Sequence, residues 1–166
     1  MVEIIVVNES LLPEVKKIAE ETWPKTFGQI LTPEQISYML EMMYNLEVLK
    51  SQVNERGHHY VLASEAGKHL GFCSFEHHID QSAKTKIHRI YIMPDTQGKG
   101  IGKLLLAYVA DRSKSKGDNA LYLNVNRFNE KAIQFYERVG FRKIKEEVID
   151  IGNGFVMDDF VMEIGL

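Results

Sequence analysis

Apolar and polar positions recur with two different periods along this chain, and the changes of period mark its elements. Ile4-Ile5-Val6-Val7 predicts a first strand. Leu11, Leu12, Val15, Ile18, Ala19 and Trp23 then recur at helical spacing, and Pro24 is expected to end that helix. Thr32-Pro33-Glu34-Gln35 is a start signal: Thr as cap, Pro in the first turn, Gln three after the cap. Ile36, Met39, Leu40, Met43 and Tyr44 give this second helix its apolar face, with a short continuation to about Asn54 that stops near Gly57.

Strand texture follows. His59 to Ser64 and Leu70 to Glu76 predict a hairpin around Glu65-Ala66-Gly67-Lys68, and Lys86 to Ile92 a third strand closed by Pro94. Ile101, Leu104, Leu105, Tyr108 and Val109 mark a long amphipathic helix from Gly100 to Lys116. A short strand over Ala120–Val125, a helix over Glu130–Val139 stopped by Gly140, and two strands around Gly152-Asn153-Gly154 complete the chain. The order β-α-α-β-β-β-α-β-α-β-β predicts one domain over residues 1–166, of mixed α/β class, with helices packed on a central sheet.

Composition narrows the partners. At 166 residues, 45% apolar and 26% charged, the chain is an ordinary globular domain. No apolar run is long enough for a membrane helix, so no membrane partner is expected. The first residues lack a basic region, so they read as strand rather than signal peptide. The net charge of −3 argues against a general nucleic-acid binder. The one cysteine, Cys73, leaves no internal disulfide and no cysteine-ligated metal, which suits a cytoplasmic, reducing compartment.

The most informative segment is Gln97-Gly98-Lys99-Gly100-Ile101-Gly102-Lys103, between a strand and a helix. Alternate glycines let backbone approach a ligand closely. The free amides of the following helix start, with a partial charge of about +0.5, attract a pyrophosphate, and Lys99 and Lys103 add positive charge. Other glycine loops fit less well. A Walker A loop needs Ser or Thr after Gly-Lys, whereas Leu104 follows here. A Rossmann loop needs different glycine spacing, in the first βα unit, and an acid ending the next strand, which here ends Leu123-Asn124-Val125.

Gln97, Gly100 and Gly102 match the cofactor motif Q/R-x-x-G-x-G/A of the GNAT superfamily, the GCN5-related N-acetyltransferases. Arg89-Ile90-Tyr91-Ile92-Met93-Pro94 resembles its cofactor strand, and Asn129, Ala132, Tyr136 and Gly140-Phe141 resemble a second motif. The resemblance is close from Lys86 to Phe141; the rest agrees in element order. It implies a twisted, mostly antiparallel sheet of about seven strands, helices on both faces, and a parallel strand pair that splays to admit pantetheine. Acetyl-CoA is then the cosubstrate, with no metal.

By the same resemblance, Ile90, Tyr91 and Ile92 pair with the arm, and the Ile92 N–H serves as oxyanion donor. Gln97, Gly98, Lys99, Gly100, Ile101, Gly102 and Lys103 hold the pyrophosphate, with Asn124, Asn129 and Lys131 as further partners. Tyr136 protonates the leaving thiolate, since a tyrosine of pKa about 10 stays protonated at neutral pH. His88 is the first candidate for the base and Glu76 the second. Strand alternation puts His88 with Ile90 and Ile92 unless a bulge re-aims it. His77-His78-Asp80 read as a solvated loop. The acceptor is a primary amine, of a small molecule, polyamine or protein. The segments Glu21–Phe27 and Tyr38–Glu41 resemble polyamine-acetylating members, in which Glu21, Glu41, Glu76 and Asp80 would attract a polycation. A silent acetyl-CoA-binding module and a nucleotide-dependent enzyme are the alternatives, and a homodimer stays open.

Overall fold

A computed structural model describes residues 1–166. One seven-stranded sheet, in the order β1-β2-β3-β4-β5-β7-β6, separates two helical layers. Its strands are β1 (Glu3–Val6), β2 (His59–Glu65), β3 (Lys68–Glu76), β4 (Lys84–Ile92), β5 (Ala120–Asn126), β6 (Arg142–Gly152) and β7 (Phe155–Gly165). The helices are α1 (Leu12–Phe27), α2 (Pro33–Tyr44), α3 (Leu46–Asn54), α4 (Ile101–Ser115) and α5 (Glu130–Val139). One core joins α4 and α5 to the sheet through Leu105, Val109, Ile133 and Tyr136. The other joins α1, α2 and α3 to the opposite face through Val15, Trp23, Met39 and Leu49. No helix is long and apolar enough to cross a membrane.

Local chemistry accounts for most boundaries. The Thr32 hydroxyl accepts from the Gln35 amide at 3.1 Å, the expected cap of α2. The segment after Tyr44 is a helix in its own right, α3, because Asn45 leaves the helical conformation and caps Glu47 N–H at 2.9 Å. Pro24 does not end α1. The helix runs on to Phe27, and the hydrogen bond Pro24 cannot donate would have gone to the exposed Glu20. Burial of Trp23 and Phe27, with ring centroids 4.6 Å apart, holds this last turn. In α4 the inward residue is Leu106, whereas Leu104 is exposed.

All neighbouring strands pair antiparallel except β4 and β5. These two pair in parallel from Lys84 opposite Ala120 to Ile87 opposite Leu123, and no further. Yet β4 continues to Ile92 and β5 to Asn126. Their facing edges diverge at the end where the glycine loop begins.

Candidate active site

Two recesses meet at this divergence, one on each side of β4. The first is the opening between the strands. Met93 N–H donates to Leu70 O at 2.8 Å, so its amide faces β3. Successive residues of a strand direct their backbone groups to opposite sides. Ile90 and Ile92 therefore present N–H and C=O toward the gap, whereas Tyr91 directs its backbone to β3. Tyr91 thus departs from its expected backbone role, and its side chain packs with Trp23 and Phe72 on the α1 side.

The glycine loop closes the end of the gap. Gly98 and Gly100 have φ of 84° and 80°, left-handed values that glycine adopts without strain. No atom lies within 4 Å of where a Cβ would stand on either, so their surroundings are open to a ligand. Gly102 differs: a Cβ there would lie 2.9 Å from the Phe135 ring, so its lack of a side chain lets α4 and α5 pack. Ile101 buries its side chain in the core and offers only its amide. Lys99 and Lys103 are exposed. Lys131 Nζ donates to Gln97 Oε1 at 2.7 Å, and Gln97 Nε2 donates to Ile92 O at 3.3 Å, linking α5, the loop and β4. An anionic ligand with a long arm fits this set: free amides and lysines at one end, unpaired strand edges beyond.

Two expected partners of the arm are engaged elsewhere. Asn129 caps α5, its Oδ1 accepting from Ala132 N–H at 3.4 Å. Asn124 donates to Glu147 Oε2 at 2.9 Å and Asp159 Oδ2 at 3.3 Å, on the other side of the sheet. Tyr136 is buried on α5 against Phe135 and Phe141. Burial, with the Cys73 thiol nearby, pushes its phenol well above the ordinary tyrosine range.

The second recess is a cavity of about 530 Å³ on the α1–α2 side of the sheet. A bulge decides what enters it. Ser74 pairs with Arg89 and Phe75 with Ile87, which leaves His88 as an extra residue on β4. His88 and Arg89 both consequently line the cavity, while Ile90 and Ile92 pack on the α4 core. His88 thus parts from Ile90 and Ile92, contrary to plain alternation. Its Nε2 lies 3.0 Å from Glu76 Oε1, so the two base candidates touch.

A third residue, His58, completes this group and was not foreseen. Its Nε2 lies 3.4 Å from the same oxygen, and its ring stacks on His88 at 4.1 Å. No local pattern marks it, because Gly57 and a turn precede it and its partners are distant in sequence. Burial depresses both imidazoles: His58 to about 4, with His88 next among the causes, and His88 to about 3, helped by the Lys86, Arg89 and Arg56 charges. Both rings are therefore neutral near pH 7. The ligand atoms of His58, Glu76 and His88 lie within 4.8 Å of one another, so a divalent cation could also be held here.

His77 and His78 lie in the turn between β3 and β4, His78 exposed as expected, but both are tied down. Asp118, buried, accepts from Thr85 Oγ1 at 2.7 Å and from the His78 amide at 3.0 Å, and its Oδ1 lies 2.6 Å from His78 Nδ1. His77 Nδ1 bonds Thr85 Oγ1 at 3.0 Å. The group is a clasp between the β3–β4 turn and the start of β5. Of the four acids expected to attract a polycation, Glu76 and Asp80 line the cavity, whereas Glu21 and Glu41 are exposed outside it.

A glycine loop at a helix start, beside a parallel pair that splays, is the cofactor end of an acyl-CoA-dependent acyltransferase. Residues 12–141 match the family model for the acetyltransferase (GNAT) family, and the chain belongs to that family. It is an acetyl-CoA-dependent N-acetyltransferase. It is 28% identical over 157 residues to an uncharacterised N-acetyltransferase of Lactobacillus delbrueckii subsp. lactis, covering 92% of this chain and 91% of that one. It is 29% identical over 143 residues to a spermidine N(1)-acetyltransferase of Thermoplasma acidophilum, covering 86% of each. Among solved structures it resembles the PaiA N-acetyltransferase of Thermoplasma acidophilum in complex with coenzyme A, with a TM-score of 0.82, 26% identity, and coverage of 100% of this chain and 99% of that one.

Proposed function

We propose that residues 1–166 form one catalytic domain that transfers an acetyl group to a primary amine entering through the cavity beside His88. The observation that carries this reading is the position of β4. It presents Ile90 and Ile92 amides to the gap on one side and the His88–Glu76 pair to the cavity on the other.

Acetyl-CoA supplies the electrophilic thioester carbon. The loop Gln97–Lys103, with Lys131 behind Gln97, holds the pyrophosphate, and the gap edges of Ile90 and Ile92 orient the arm. The Ile92 N–H stabilises negative charge on the acyl oxygen. Tyr136, protonated at neutral pH, supplies a proton to the departing sulfur.

The base is His88, oriented by Glu76. A carboxylate only accepts hydrogen bonds, so His88 Nε2 carries the proton in its bond to Glu76 Oε1. The acceptor lone pair of His88 is then on Nδ1. His58 Nδ1 is buried without a partner, so His58 positions Glu76 and the His88 ring instead of taking the amine proton. With His88 Nε2 donating to Glu76, the proposed reaction needs no metal, and dialysis against a chelator is expected to leave the rate unchanged.

The spermidine-acetylating relative makes polyamines one arm of the acceptor test. The decisive experiment measures thiol release from acetyl-CoA across a panel of amines. Turnover of at least one, lost in His88→Ala while coenzyme A still binds, is the expected result. Coenzyme A binding without turnover of any amine would reject the assignment.

A further inference from the structure

The cavity beside His88 is lined by cations that form no salt bridge with any carboxylate of the chain. Arg56, Lys86 and Arg89 all line it, and none forms an ion pair. Arg89 is the most constrained, at 8% exposure. Its guanidinium lies 4.4 Å from the centre of the Tyr44 ring, and its Nη1 donates to the Tyr60 hydroxyl at 2.6 Å. That hydroxyl donates onward to Gln52 Oε1 at 2.8 Å. The ring and the hydroxyl fix the side chain in place but bring no negative charge. A guanidinium has five N–H donors, and the hydrogen bond to Tyr60 uses one. Taking a cation out of water without a counter-ion costs several kcal/mol.

The acids of the cavity do not fill this role. Glu76 Oε1 is shared by two imidazoles. Asp159 is bonded to Asn124, and burial pushes its carboxyl above the usual range. Asp80 is exposed at the rim. A polycation entering here would meet the unpaired guanidinium groups of Arg56 and Arg89 beside the base. An acceptor with one amine and one negative group would meet a neutral histidine and a ready counter-ion.

We propose that the acceptor carries an oxyanion, a carboxylate or a phosphate monoester, which docks on Arg89 with Arg56 at the cavity mouth. The substrate class is thus a zwitterionic amine, such as an amino acid, and not a polyamine. Planar guanidinium matches either oxyanion through paired N–H donors. The proposal rests on the reading of this cavity as the acceptor site.

The test uses the whole protein and a ladder of ω-amino acids of increasing length, their amides, the corresponding α,ω-diamines, and O-phosphoethanolamine against ethanolamine. The expected kcat/KM of the best oxyanion-bearing amine exceeds those of its neutral and dicationic counterparts by about tenfold or more, as one charge-assisted pair provides. The carboxylate and phosphate arms tell which oxyanion is preferred. Arg56→Ala, on an exposed side chain, lowers that ratio several-fold, and Arg89→Met brings it near one. Equal or better turnover of the diamines or amides overturns the proposal.

Calorimetric titration of the N-acetylated ω-amino acids and of N-acetyl-O-phosphoethanolamine, with coenzyme A present, reads the oxyanion site without chemistry. Binding by wild type that is lost in Arg56→Ala supports the site even if no amine turns over, a result that would count against the proposed reaction alone. Absence of binding for both oxyanion classes overturns the site.

Discussion

The rings of His58 and His88 lie face to face, 4.1 Å apart and within 5° of parallel. Burial first, and neighbouring positive charge after it, keeps both imidazoles neutral near pH 7.

The pH dependence of stability follows from these two groups. Their folded values, about 4 and about 3, lie below the ordinary 6.5. As pH falls, the unfolded chain therefore takes up protons first, and stability falls with it. The contribution is complete above about pH 6.5 and is lost progressively toward the folded values. Urea midpoints should stay level above neutrality and decline steadily below it, with a shallower decline in His88→Gln.

Replacement of the proposed base and of the proposed acid should each slow the reaction. His88→Ala is expected to lower kcat by about 10²-fold, the usual size of a general-base contribution. Tyr136→Phe should do likewise, with the affinity for coenzyme A measured calorimetrically almost unchanged. An unaltered kcat in Tyr136→Phe would remove the phenol from the reaction.

The loop glycines should fail for different reasons. Gly100→Ala forces a side chain onto a φ of 80° and is expected to cost about 1 kcal/mol while weakening coenzyme A binding. Gly102→Ala instead strikes Phe135 and should cost about 1–3 kcal/mol through overpacking. Phe135→Leu should recover much of that loss. Thermal melts with and without coenzyme A distinguish the two.

The Asp118 clasp should matter to stability and not to chemistry. Burial alone would raise its pKa, but the bonds from Thr85 and His78 outweigh it and hold the carboxyl below its ordinary value. Its contribution is therefore present above the unfolded carboxylate pKa of 3.8 and lost as pH falls through the lower folded value. Asp118→Ala should cost about 3 kcal/mol, because several donors lose a buried acceptor. Urea denaturation measures this, and kcat well below the melting temperature should be retained.

The legible parts of this protein were those whose function is local in the chain. The loop Gln97–Lys103 works through backbone amides and glycine φ angles at a helix start, so a heptad of residues suffices to display it. The Thr32 cap, the glycine stops and the Gly152-Asn153-Gly154 turn are local in the same sense. Element order then followed from periodicity, and with it the mixed sheet between two helical layers.

Tertiary structure decided what depends on contacts between distant segments. Pro24 stays within α1 because Trp23 and Phe27 are buried beneath it, which outweighs one lost backbone bond. His88 faces the cavity only because β4 bulges against β3, and that shift reverses a side chain which strict alternation would place on the other face. Glu76 and His88 were visible as candidates, but His58, from the far side of a turn, had no signal until the sheet brought it onto them. The protein partners of the Asn124 and Asn129 side chains, Glu147 and the Ala132 amide, also appeared only with the fold. The unpaired charge of Arg89 is likewise a property of its neighbours, since a chain of letters shows that a cation is present but not that it forms no salt bridge.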